Sequence, residues 1–262
     1  MTGPPGSAFP VSDWPVSDWP VREPGWPGGA IVWHAGLRLD AARRAACLAL
    51  LDRDETLRAD RFLQARDRDR FIASHAALRL LLAGALEAEA RTLSFSVSAF
   101  GRPSLAGAQA GRLDVNLSHS GEHALVALSP TGRIGVDIEV PRPMPDALRI
   151  ARAHFHPREI AALEAHGSDA EAVFYACWTA KEAFVKAVGA GLSRPLNRFA
   201  VAVPPAPAAL LEVDDADGPA SAWTLAALAP APGTVGAVAL AIPRAAIALA
   251  ALSPDWADRI GT

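Results

Sequence analysis

Lysine is nearly absent from this 262-residue chain: of 25 basic residues only Lys181 and Lys186 are lysine, and the other 23 are arginine. Asparagine occurs only at Asn116 and Asn197, and there is a single tyrosine. Together with abundant alanine, glycine and proline, this pattern fits a GC-rich coding bias. Arginine replaces lysine easily on a solvated face but poorly where a compact ammonium must reach one oxygen or give up a proton, so two lysines within nine residues mark a candidate site. There is no basic excess either. The formal net charge of −3 supplies no general attraction for a nucleic-acid backbone. No apolar run approaches the ~20 residues that cross a bilayer, because Pro243 and Arg244 interrupt the longest stretch, 235–252. The two cysteines, Cys47 and Cys177, sit in apolar helical patterns and read as reduced core thiols. A monomeric cytoplasmic protein without nucleic-acid or membrane partners is expected.

What remains is an ordinary globular composition, 51% hydrophobic and 20% charged, with enough length for one large domain or two lobes. Residues 1–29 carry a direct repeat, VSDWP at 11–15 and again at 16–20, and read as an extended leader in which frequent proline blocks regular pairing. A strand is expected at 31–33, a helix capped by Asp40 reaching about Leu51, and a longer one from Asp67 to Leu86. Strands at 93–97, 113–117, 124–128 and 134–140 follow. Helical patterns then begin at Asp146, Pro157 and Asp169, the last ending at Gly189, before strands near 199–203, 222–228 and 235–242. The order of strand, helices and strands occurs twice. This suggests a pseudo-duplicated α+β protein, with an N-terminal lobe over 30–122 and a C-terminal lobe over 123–262.

Three segments can carry chemistry. In Ile134-Gly135-Val136-Asp137-Ile138-Glu139-Val140 the strand period points Asp137 and Glu139 to the same face. Two neighbouring carboxylates suit a hard, oxygen-liganded ion such as Mg²⁺, although an open solvated strand face would also relieve their repulsion. On the helix Phe174–Lys186, Trp178, Glu182 and Lys186 are four apart and stack on one face; the plain alternative is an exposed Glu–Lys pair. The segment Asn116-Leu117-Ser118-His119-Ser120-Gly121 reads as a loop whose hydroxyls, imidazole and backbone N–H groups can meet a phosphate, or as a polar turn that satisfies its own backbone. Ser118 lacks the glycine pattern of a nucleophile elbow.

Taken together, GRP at 101–103, NLSHSG at 116–121, IGVDIE at 134–139, WTAKEAFVK at 178–186 and GAGLSRPL at 189–196 resemble the two-lobed 4′-phosphopantetheinyl transferases that activate peptide and polyketide synthetases. The resemblance covers roughly residues 50–205. It implies two similar α+β lobes, each a small, mostly antiparallel sheet on a long helix, holding coenzyme A between them. It further implies Mg²⁺ on Asp137, Glu139 and Glu182, and transfer of the phosphopantetheine arm to a serine of an apo acyl, polyketide or peptidyl carrier protein, releasing adenosine 3′,5′-bisphosphate. By the same resemblance, Ser118, His119 and Arg102 with Pro103 hold the 3′-phosphate of coenzyme A. Arg58 and Arg70 are looser matches, and Glu55 stands where some members carry a further lysine. Glu182 is then the base, directly or through water, Lys186 assists the leaving group, and Lys181 orients the pyrophosphate or carboxylates. A magnesium-dependent phosphohydrolase and a non-catalytic carrier- or CoA-binding protein are the competing expectations; the former generally needs more acids or histidines than these three carboxylates.

Overall fold

The computed structural model describes residues 16–17, 29–189, 191, 194–213 and 215–260. The leader expected over 1–29 therefore lies outside the described residues, apart from 16–17 and 29. It is a mixed α+β protein, and the chain divides into two compact units, one comprising 14–131 and 247–262 and the other containing 132–246.

In the first unit β1 (Val16–Ser17) precedes β2 (Ala30–Gly36), an almost wholly buried strand. Asp40 caps α1 (Ala41–Leu48) by accepting the Arg43 N–H at 2.9 Å. Next come α2 (Arg53–Ala59) and the 22-residue α3 (Ala65–Leu86), which ends at Glu87 in the left-handed region, φ 50°. The strands β3 (Phe95–Val97) and β4 (Pro103–Leu105) pair as a small hairpin. Then β5 (Asp114–Ser120) and β6 (His123–Ser129) complete a five-stranded sheet in the order β1-β12-β2-β6-β5, where β12 is Ile247–Leu252. The β2–β6 and β6–β5 pairs are antiparallel, whereas β12 runs parallel to β2. Ile31, Trp33, Val115, Ala124 and Val126 of this sheet share one core with Phe71, Leu78 and Leu82 of α3.

This arrangement places the unit boundary elsewhere than at residue 122. A hairpin closed by Gly121 and Glu122 joins β5 to β6, so residues 123–129 belong with the strands before them. Residues 247–262 likewise return to the first unit, because β12 adds to the edge of β2.

The second unit opens with β7 (Ile134–Glu139), then α4 (Ala147–His154), α5 (Pro157–Ala165) and α6 (Ala170–Val188). Short strands β8 (Ala200–Val201) and β9 (Leu210–Glu212) pair with each other, and β10 (Thr224–Leu228) and β11 (Val235–Leu240) complete an antiparallel sheet β10-β11-β7. Gly189 ends α6 at φ +81°, donating its N–H to Val185 O at 3.0 Å. Phe155, Phe174, Phe184, Phe199 and Trp223 fill the core between α6 and the surrounding elements.

Each unit also buries one cation on its long helix. Arg79 of α3 is fully buried; it donates to Glu55 Oε2 and Asp52 Oδ2, both at 2.6 Å, and to the Ala90 and Leu93 carbonyls at 3.0 and 2.9 Å. Lys181 of α6, 0% exposed, donates to Glu159 Oε1 at 2.6 Å and to Phe199 O at 2.9 Å. Glu55 and Glu159 are each the third residue of a short helix and close its capping box, with Asp52 and His156 respectively. A buried charge requires such partners. Both cysteines are free and buried, and no described helix is long and apolar enough to cross a membrane.

Candidate active site

The acidic motif lies on β7, where Gly135, Asp137 and Glu139 share a face by the strand period. That face meets α6. A Cβ at Gly135 would lie 2.1 Å from Ala183 O and 2.4 Å from Ala187 N, so glycine alone permits so close an approach of helix to strand. The approach brings the Lys186 ammonium, from the last turn of α6, to 2.6 Å from Asp137 Oδ1. Asp137 is 5% exposed, so this is a largely buried ion pair.

Glu182 stands one helical turn before Lys186. Burial raises its carboxyl above the ordinary range, the negative charge of Asp137 adds to the rise, Lys186 opposes it, and Glu139 contributes further. The structure thus gathers Asp137, Glu139, Glu182 and Lys186 into one electrostatically coupled group. Trp178, another turn back, packs on Phe174 at 5.8 Å and Phe155 at 6.2 Å between ring centroids, which anchors the helix in the core. The Tyr175 hydroxyl donates to Arg142 O at 3.0 Å, tying α6 to the chain that leaves β7.

Lys181 does not join this group. It is five residues from Lys186 and so on a different side of the helix, with Glu159, the Phe199 carbonyl and, at 4.0 Å, the Phe199 ring around its ammonium. Burial lowers the proton affinity of Lys181, and the charge and hydrogen bond of Glu159 work against that. The expectation that it orients the pyrophosphate or the carboxylates of the site is therefore corrected: its ammonium is buried in the core and held by Glu159 and Phe199. Glu159 was not legible as its partner, although the His156-to-Glu159 capping-box spacing was a signal in the sequence. Gly135 carries a signal of its own, since a glycine within a β-branched strand marks close backbone approach.

In the first unit the segment expected as a phosphate loop is strand through Ser120, with Gly121 at φ +56° and Glu122 as the turn. Ser118 is buried and His119 exposed, since neighbours on a strand face opposite ways; the two side chains do not share one face. Arg102 precedes Pro103 at the start of β4 and donates to Asp114 Oδ2 at 2.7 Å and Val115 O at 3.3 Å, joining the hairpin to β5. Arg58 is exposed on α2, its guanidinium 5.3 Å from the Phe71 ring centroid. Arg70 donates to Glu122 Oε1 at 2.6 Å. Glu55 is committed to Arg79 and to His75 Nδ1, the latter at 2.9 Å, so its position serves the core. A groove of about 450 Å³ on this unit is lined by Leu37, Arg38, Leu39, Arg66, Asp69 and Glu122, none of them an expected site residue. Residues 190, 192 and 193 of the GAGLSRPL motif fall outside the described residues.

As a cation site, the Asp137–Glu139–Glu182 set has the right chemistry: three carboxylate donors whose mutual repulsion a hard divalent ion would relieve. Among the described residues, however, no three His, Cys, Asp or Glu side chains are already drawn round one point.

Comparison with known proteins agrees with these motifs. Residues 133–242 match the model of the 4′-phosphopantetheinyl transferase superfamily, and 41–131 match that of the 4′-phosphopantetheinyl transferase N-terminal region. The 4′-phosphopantetheinyl transferase HetI of Nostoc is 35% identical over 213 residues, 80% of this chain and 86% of HetI. A putative 4′-phosphopantetheinyl transferase of Synechocystis is 39% identical over 151 residues, 57% of this chain and 61% of that relative's length. The transferase Sfp of Bacillus subtilis is 29% identical over 160 residues, 61% of this chain and 69% of Sfp.

Proposed function

This chain belongs to the 4′-phosphopantetheinyl transferase superfamily, and we propose that it moves the 4′-phosphopantetheine group of coenzyme A onto a serine of an apo acyl, polyketide or peptidyl carrier protein, releasing adenosine 3′,5′-bisphosphate. The observation that carries the assignment of its chemistry is the coupled group of Asp137, Glu139, Glu182 and Lys186 on the facing surfaces of β7 and α6. Asp137, Glu139 and Glu182 are the residues that would hold Mg²⁺, which when bound supplies positive charge to a pyrophosphate.

Glu182 has the character of a base for this step. Its proton affinity is raised by burial and by Asp137, which suits it to take the proton of the attacking serine hydroxyl directly or through a water. Lys186 supplies a compact ammonium to the oxygen that departs with the adenosine bisphosphate. Ser118, His119 and Arg102, beside Pro103, are assigned to the 3′-phosphate by family resemblance; of the two strand neighbours, His119 is the exposed one. Arg58, exposed on α2, is a further phosphate contact in this reading.

The two units are read as a pseudo-duplication. The support is the repeated device on α3 and α6: a buried cation seven residues before the end of each long helix, paired with the capping-box glutamate of a short helix. The proposed setting is a cytoplasmic monomer with no nucleic-acid or membrane partner. Incubation with coenzyme A, Mg²⁺ and an apo carrier protein is expected to add one phosphopantetheine mass to the carrier. Absence of any mass gain across carriers of all three classes would refute the assignment.

A further inference from the structure

Asp137 and Glu139 of β7 and Glu182 of α6 concentrate negative charge where strand and helix meet, and a carboxylate as buried as Asp137 requires an opposite charge. Here the charge beside it is the Lys186 ammonium, 2.6 Å from Oδ1. The lysine side chain is 28% exposed, so its stem packs while its head keeps a route to water. No three acidic or imidazole side chains among the described residues are yet gathered for a metal, and an ammonium seated on Asp137 is a physical reason for that.

We propose that Lys186 is the resident counter-ion of the acidic face and trades places with a divalent cation: when the cation binds Asp137, the ammonium leaves Oδ1 and becomes the donor for an anionic phosphate. This rests on the metal–phosphate reading of the site and adds an order to it, cation first, then lysine, then phosphate. A divalent ion taking the same oxygen would sit ~2.0–2.1 Å from it, and the ammonium, 2.6 Å from Oδ1 at its present place, would then lie within about 5 Å of the ion. The two positive charges repel each other, while a phosphate attracts both. The residue type fits the task. A flexible four-carbon stem with a point charge can change partners, whereas a guanidinium would lock onto the carboxylate as a planar fork. In a chain with 23 arginines, lysine at this position is informative.

The scarcity of lysine makes the exchange directly visible. Labelling the full-length protein with ¹³Cε- and ¹⁵Nζ-lysine yields two side-chain signals, from Lys181 and Lys186. Lys181, held by Glu159 and Phe199, serves as the internal reference, and Lys186→Met assigns the other signal. Mg²⁺ is titrated without coenzyme A, and Mn²⁺ affinity is measured by electron paramagnetic resonance for wild type and Lys186→Met. The Lys186 signal is expected to move and narrow while that of Lys181 stays still, and Lys186→Met is expected to bind Mn²⁺ at least roughly tenfold more tightly. If Mn²⁺ binds the wild type but the Lys186 signal stays put, the exchange is wrong and the metal reading survives. If neither protein binds Mn²⁺, both readings fall. The signal of the wild-type protein decides the matter even if Lys186→Met fails to fold.

Discussion

Substituting Gly135→Ala should damage both stability and chemistry through one contact. The new Cβ would lie 2.1 Å from Ala183 O, 2.4 Å from Ala187 N and 3.0 Å from Ala187 Cα. All three neighbours are helix backbone, so no side chain can swing aside. To restore ordinary contact, α6 must retreat from β7 by ~1 Å. Overpacking of this kind costs about 1–3 kcal/mol, and with rigid backbone on both sides the upper half of that range is expected. For a chain of this size that corresponds to a fall in Tm of about 4–12 °C. The same retreat carries Glu182 and Lys186 away from Asp137, and a misplacement of ~1 Å can reduce a reaction rate about 100-fold. Calorimetry and single-turnover transfer on purified Gly135→Ala test both effects, with Gly36→Ala as control because nothing lies within 4 Å of a Cβ there. A Gly135→Ala protein with wild-type Tm and wild-type turnover would refute the argument that this glycine sets the helix–strand distance.

Three further outcomes follow from the same contacts. Lys181→Met leaves Glu159 buried without its ammonium, so it should lose about 3–5 kcal/mol of stability in denaturant unfolding while the fraction that remains folded keeps the wild-type kcat; a normal stability with a lost kcat would restore Lys181 to the chemistry. Arg102→Gln should raise KM for coenzyme A and leave KM for 3′-dephospho-coenzyme A unchanged; equal effects on the two would remove Arg102 from the 3′-phosphate. His34 has its proton affinity lowered to about 4, first by burial and then by His123, whose Nδ1 is 3.0 Å from His34 Nε2. Because the unfolded chain takes up that proton near the ordinary value of 6.5 and the folded one does not, stability should fall as pH drops from 6.5 toward 4, by up to roughly 3 kcal/mol. Unfolding free energies across that range should show a shallower slope in His34→Gln, and an unchanged slope would dismiss His34 as the cause.

The helix and strand bearing the acidic group were legible because each repeats its pattern over several periods. Four-residue spacing placed Trp178, Glu182 and Lys186 on one side of α6, and two-residue spacing placed Asp137 with Glu139. The same spacing rule separates Lys181 from Lys186, yet rarity of lysine drew both into one functional reading. Only packing against Glu159 and Phe199 tells which lysine is structural. The non-local pairings were not legible: nothing in the alternation of 247–252 specifies a parallel partner more than 200 residues away in β2. NLSHS looks like a loop because serine and histidine carry little strand preference; its pairing with β6 overrides that. Helix α2 has a short, charged sequence with no apolar period, and the Asp52-to-Glu55 spacing that caps it is its one local signal.

The central claim is that this carboxylate–lysine group directs phosphopantetheine to a carrier serine rather than to water. The most direct measurement follows adenosine 3′,5′-bisphosphate release and carrier mass together, with coenzyme A, with and without Mg²⁺, and with the carrier serine intact or replaced by alanine. One bisphosphate released per modified serine, only with Mg²⁺ and only with the intact serine, is the predicted result. Bisphosphate or phosphate released without carrier modification would contradict the account and identify a hydrolase.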